Sequence, residues 1–171
     1  PMLDFLKKIF GRKQARDLAK YRSAVQEINQ FATEYQSLSH DALRHKTLEF
    51  RERISEYLRN IDEAIANINQ QALDAEDFDQ KDSLFKSVDE LRKDRDKALE
   101  EILLSILPEA FAVMKEASRR FKENDTLRVT ATPHDRNLAA KPGKTYVTIE
   151  GEEEVWKNSW TAAGGDIVWN M

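Results

Sequence analysis

Histidines and carboxylates are the side chains in this chain that could do acid, base or metal chemistry, and their spacing is poor for all three. His40 and His45 stand five apart in a helical stretch, on different faces, and His134 falls in a polar loop, so no shared zinc ion is expected. The 31 Asp and Glu residues are spread over charged helical stretches, where they serve as solvated faces and salt-bridge partners more readily than as an acid/base pair. There is no cysteine, hence no disulfide and no thiolate chemistry, which agrees with a reducing compartment. No GxSxG elbow presents a serine nucleophile. The five glycines form neither GxxxxGK nor GxGxxG, so no backbone cradle for a phosphate can be assigned. The one basic segment is oily, which argues against nucleic acid despite three tryptophans.

That basic segment, "LDFLKKIFGRK" at residues 3–13, carries the most specific signal. On a helix Leu3, Leu6, Ile9 and Phe10 line one side with Phe5 at its edge, while Lys7, Lys8, Arg12 and Lys13 fan around the rest. Through Arg16 there are five Lys or Arg against Asp4 alone, about +4, so the remainder must hold about −8 to give the net −4. A helix end docked on the body accounts for the apolar side. Insertion at an anionic lipid surface accounts for the charge as well. So short a helix binds lipid weakly, and attachment is expected to be reversible and aided by a dimer or a membrane partner. No apolar run approaches the ~20 residues of a membrane span, and the segment lacks the cleavage site of a signal peptide. Pro1, ahead of Met2, is read as foreign to the natural start.

The elements that position these groups follow from the apolar period. Leu18, Tyr21, Val25, Ile28, Ala32 and Tyr35 alternate steps of three and four, a helix with one narrow seam. Ser37 and Ser39 are candidate caps for a second helix, whose seam runs through Leu43, Thr47, Phe50, Ile54, Tyr57, Leu58, Ile61, Ile65 and Ile68. At about 30 residues it would be roughly 45 Å long. "DAEDFDQKD", residues 74–82, interrupts with five acids and one base, and the period resumes at Leu84, Val88, Leu91, Ala98, Ile102 and Ile106. The pattern predicts a long antiparallel helical hairpin over about residues 41–107 with an acidic tip. Arg95 holds a seam position, which predicts a wet or splayed point or a snorkelling stem. Pro108 predicts a kink or restart before the apolar face of Phe111, Met114 and Phe121. From residue 124 the period turns alternating in "LRVTAT", "YVTIE", "EVWKN" and "DIVWN", broken by "KPGK", Gly151 and Gly164-Gly165. This predicts one antiparallel sheet of three or four strands, its thin core filled by Trp156, Trp160 and Trp169. The fold class is therefore mainly α with a small C-terminal antiparallel β sheet. Its expected segments are a basic amphipathic helix (2–13), a helical region with the hairpin (14–123) and a β region (124–171).

Three blocks carry a family likeness. "MLDFLKKIFGRKQARDLAKYRSAVQEIN", "LSHDALRHKTLEFRERI" and "LPEAFAVMKEASRRF" occur in this order, cover roughly 60 residues, and resemble the amino-terminal part of the SecA family, the ATP-driven motors of bacterial preprotein translocation. The segments at about 55–105 and 124–171 look like insertions similar to those of longer SecA proteins of the Bacteroidetes group. "TIEGEEEVWKNSWTAAGGDIVWNM" is similar to that group's lead-in to the nucleotide-binding core. The family's "DVQL" glutamine motif and "GEGKT" phosphate loop are not in the sequence, so the resemblance implies an N-terminal fragment with no catalytic, cofactor or metal residues of its own. It implies a full-length protein that uses ATP and magnesium, binds the SecYEG channel, moves unfolded preproteins and works on the cytoplasmic face of the bacterial inner membrane. It also assigns Leu3, Phe5, Leu6, Lys7, Lys8, Ile9, Phe10, Arg12 and Lys13 to contacts with acidic phospholipid, the channel and a second copy in a homodimer. The acid usual three residues after the serine of "LS" is Ala42 here, which implies weaker capping near Ser39. The competing expectation is a stand-alone coiled-coil interaction protein or holdase chaperone.

Overall fold

The computed structural model describes residues 2–169, with side chains described from residue 18 onward and for Arg16. Its order is α1 (Met2–Tyr35), α2 (His40–Asp74), α3 (Phe78–Glu123), β1 (Thr126–Thr130), α4 (Pro133–Ala139), β2 (Val147–Glu150), β3 (Glu153–Lys157), β4 (Ser159–Ala162) and β5 (Gly165–Val168). The protein is mainly α, with its small antiparallel β structure at the C-terminal end. Instead of one sheet there are two, a three-stranded sheet in the order β1-β3-β2 and the hairpin β4-β5. The chain divides into two units, residues 46–107 and the remainder.

In the unit at 46–107, the seam side chains Phe50, Leu58, Ala72, Val88 and Ile106 are buried. Two cross-links fix the direction of the helices: Asp62 accepts from Arg95, and Glu101 accepts the Tyr57 hydroxyl at 2.9 Å. Stepping back along α2 from 62 to 57 moves forward along α3 from 95 to 101, as antiparallel helices require. Arg95 does not splay the hairpin. Its guanidinium bonds both Asp62 oxygens, Nε at 2.5 Å and Nη2 at 3.4 Å, and so takes a seam position to the rim. Thr47 and Tyr57, expected in the seam, are exposed. The acidic tip has a structural role, because Asp77 accepts the Gln80 N–H at 2.8 Å and caps α3, with Asp79 following in the first turn. Leu58, only 2 % exposed, is the tightest large side chain of α2. Leu58→Ala is expected to cost about 2–5 kcal/mol, read as a lower denaturant midpoint of the helical signal, against well under half of that for the exposed Leu104→Ala.

Pro108 does not restart the helix: α3 continues through it to Glu123. Proline removes one amide donor, orphaning the carbonyl of Leu104, but Leu104 is 61 % exposed and water can serve that oxygen.

In the other unit, Ala32, Tyr35, Leu43 and Ala112 form a buried cluster, with Ile28, Phe31, Leu38, Val113 and Ala117 packed on it. The tight turn before α2 is capped by Ser39, whose hydroxyl accepts the Ala42 N–H at 3.1 Å. Only the second half of the α1 seam is covered; Leu18, Tyr21 and Val25 are exposed. In the three-stranded sheet Leu127 faces Trp156, Val129 faces Glu154, and β2 brings Val147 and Ile149 alongside the same two β3 residues. These share one face. On the opposite face Arg128 bridges Glu150 and Glu153, and Val155 lies buried between the strands.

Candidate functional site

The nine residues expected at a membrane, Leu3, Phe5, Leu6, Lys7, Lys8, Ile9, Phe10, Arg12 and Lys13, belong to α1, and their side chains lie outside the described residues. What the described residues assemble in the unit that contains α1 is two buried ionic clusters and an aromatic groove. None of the three was singled out by motif.

The first cluster closes the α1–α2 turn. Arg120, 5 % exposed near the end of α3, donates to the carbonyls of Tyr35 at 3.0 Å and Leu38 at 2.8 Å and, through Nε, to Glu116 at 2.8 Å. Its Nη1 lies 3.0 Å from His40 Nδ1. Burial and then the Arg120 charge lower the His40 pKa, with Asp41 and Glu116 opposing. Hydrogen bonding from Arg119 holds the Glu116 carboxyl below its ordinary value, reinforced by Arg120 against burial.

The second cluster joins α2, α4 and the sheet. Thr132, Pro133 and Asp135 build α4: the Thr132 hydroxyl accepts the Asp135 N–H, Asp135 returns the favour to the Thr132 N–H at 2.8 Å, and proline occupies the first turn where no donor is needed. His134 therefore lies in a helix and not in the expected loop. Arg44 reaches across from α2 to Asp135 Oδ1 at 2.5 Å and to Glu154 Oε2 at 3.5 Å, both carboxylates being fully buried. Asp41 holds β1 by accepting the N–H and the hydroxyl of Thr130, each at 2.8 Å. Burial pushes the Asp135 carboxyl up, but hydrogen bonds from Arg44 and Thr132 outweigh it and hold the group well below the usual carboxylate range. A carboxyl depressed by folding adds stability that is present above its unfolded value of 3.8 and is lost as pH falls through the folded one. Asp135→Asn is thus expected to lower the melting temperature at neutral pH and to flatten its decline on the acid side, as thermal melts from about pH 2 to 6 would record.

The tryptophans are half-buried rather than packed inside a core. Tyr146 stacks on Trp156 at 6.0 Å, and Trp169 lies against Phe121 at 6.1 Å and Trp160 at 6.5 Å. With Met114 they line an open groove of 500 Å³. Asn158 ties it down, its side-chain amide donating to the Phe121 carbonyl and its backbone carbonyl accepting the Trp169 backbone N–H at 2.7 Å. Apart from Glu154, the buried sheet positions are aliphatic instead: Leu127, Val129, Val147 and Val155. Among the described residues no group of three or more His, Asp or Glu is placed to hold a metal ion, and no helix is long and apolar enough to cross a membrane.

Residues 6–133 match the family model described as the SecA DEAD-like domain, which places the chain in the class of translocase DEAD-like domains. Along nearly its whole length it is similar to proteins named protein translocase subunit SecA: 37 % identical over 166 residues to that of Christiangramia forsetii and 38 % over 168 to that of Flavobacterium psychrophilum, covering 97 % and 98 % of this chain. A third, from Cytophaga hutchinsonii, is 38 % identical over 172 residues, covering 99 % of the chain. The chain belongs to the SecA family. It spans 15 % of the length of each of these curated relatives. No solved structure matches it.

Proposed function

We propose that this chain is the N-terminal part of an ATP-driven motor of bacterial preprotein translocation, contributing attachment to the membrane and channel and a scaffold for the nucleotide-binding domain. The observation that carries the reading is the match of residues 6–133 to the SecA DEAD-like domain in a chain without a phosphate loop. Attachment falls to the basic, oily first residues of α1, with an acidic phospholipid surface and the SecYEG channel as partners on the cytoplasmic face of the inner membrane. Self-association into a homodimer uses the same helix. Unfolded preproteins, ATP and magnesium belong to the full-length protein. The exposed Phe111 and Met114 and the open aromatic groove supply apolar surface of the kind a scaffold presents to a further domain. Family membership favours this over a stand-alone holdase.

The purified 171-residue chain is expected to neither bind nor hydrolyse ATP, measured by calorimetry and phosphate release. Turnover that survives removal of contaminating enzymes would contradict the assignment.

A further inference from the structure

Asp135 on α4 and Glu154 on β3 are both fully buried and share one guanidinium, that of Arg44. The sharing is unequal. Arg44 Nη2 meets Asp135 at 2.5 Å, whereas Nη1 reaches Glu154 Oε2 at 3.5 Å and is divided with the Thr130 carbonyl, also at 3.5 Å. Asp135 receives the Thr132 N–H in addition. Glu154 Oε1 has no hydrogen-bond partner in the structure; the Trp156 indole favours its charge without closing a bond to it. Two buried carboxylates against one cation leave a surplus negative charge that a low-dielectric interior does not hold. The pair keeps a proton, and it goes to the carboxyl with the poorer donors, Glu154.

We propose that Glu154 is the protonatable pin of a clasp joining β3, α4 and the first turns of α2, closed while Glu154 carries its proton and loosened when it releases it. The charged groups on this side of the sheet include Arg44 and Asp41 from α2 and Asp135 from α4, and His40 of α2 and Arg120 of α3 line the cavity beside Arg44 with Leu127, Val129 and Trp156. Asp41 is committed to Thr130 of β1, and β2 places the apolar Ile149 opposite Glu154. Arg128, Glu150 and Glu153 pair with one another on the far face.

Burial pushes the Glu154 carboxyl up to about 7, against the pull of the Trp156 indole and Arg44 and with the help of Asp135. A carboxyl raised from its ordinary 4.5 binds its proton more tightly folded than unfolded, so the clasp is tightest on the mildly acid side, where Asp135 is still charged, and weakens as pH climbs towards 7, then levels off.

Hydrogen exchange of the amides of α4 and β3 in the full chain, corrected for the intrinsic pH dependence, tests this. Between about pH 5.5 and 8.5 the opening constant of these segments is expected to rise roughly tenfold or more. Glu154→Gln, which imitates the protonated carboxyl, is expected to lose that response. Equal pH dependence in the variant and the wild type would overturn the clasp, as would wild-type protection that does not change. Should Glu154→Gln not fold, carbon-13 titration of the wild-type carboxyls decides: a single buried carboxyl with a midpoint near neutrality supports the clasp, and none titrating between about pH 6 and 8 overturns it.

Discussion

Arg120→Met is expected to be the most destabilising single change in the unit built on α1, at about 3–5 kcal/mol. The volume is nearly kept, so packing loss is a minor part. The cost comes from what the guanidinium leaves behind. The Leu38 carbonyl, in the turn after α1, loses the guanidinium donor, and the Tyr35 carbonyl in the last turn of α1 keeps only the Leu38 N–H. Glu116, 2 % exposed, keeps only Arg119 as a cationic partner. A buried charge with half its partners is costlier than the same site without the charge, so the double change Arg120→Met with Glu116→Leu is expected to recover part of the loss. Arg120→Lys should fare little better than methionine, because one ammonium cannot copy a planar fork directed at two carbonyls and a carboxylate. Urea titration followed by tryptophan fluorescence and circular dichroism checks all three; a loss under about 1 kcal/mol for Arg120→Met would show that this turn is not anchored from α3.

The hairpin was legible because it repeats. A seam recurring every three or four residues over several turns survives individual exceptions, and Arg95 and Tyr57 are exceptions only in direction: both turn outward to a carboxylate on the facing helix. The β region was legible strand by strand but not in assembly. Two short sheets and one have the same alternation, and Ser159–Ala162 is too short for its period to stand out. In α4 the signal was present and local: Thr132, Pro133 and Asp135 spell a capping box with proline in the first turn, in a segment that otherwise resembles a loop. Glu154 was hidden in a run of three glutamates that looks solvated. Alternation alone turns Glu153 outward and Glu154 inward, and only the fold brings Arg44 to meet it. Arg44 and Arg120 carry no motif for these contacts, since Asp135 lies 91 residues from Arg44 and Tyr35 lies 85 residues from Arg120.

The largest effect on binding is expected from the first helix. Lys7, Lys8, Arg12 and Lys13 are each expected to contribute about 1 kcal/mol at an anionic surface, together on the order of a thousandfold in partitioning, to which insertion of Phe5, Leu6 and Phe10 is expected to add. Opposing charge substitutions at the four positions should remove most of the electrostatic part and leave the body of the fold intact, because among the described residues the buried cluster of this unit begins at Ala32. The residual, apolar part is expected to be insensitive to lipid charge. Salt separates the two, since the screening length falls from about 10 Å at 0.1 M to about 3 Å at 1 M.

Flotation of the purified chain with vesicles of acidic phospholipid at low salt, beside the same chain lacking residues 2–13, tests the attachment role most directly. The intact chain is expected to float with the vesicles and to be released by high salt, and the shortened chain to stay in solution. An intact chain that ignores acidic vesicles even at low salt would contradict the role given to this helix.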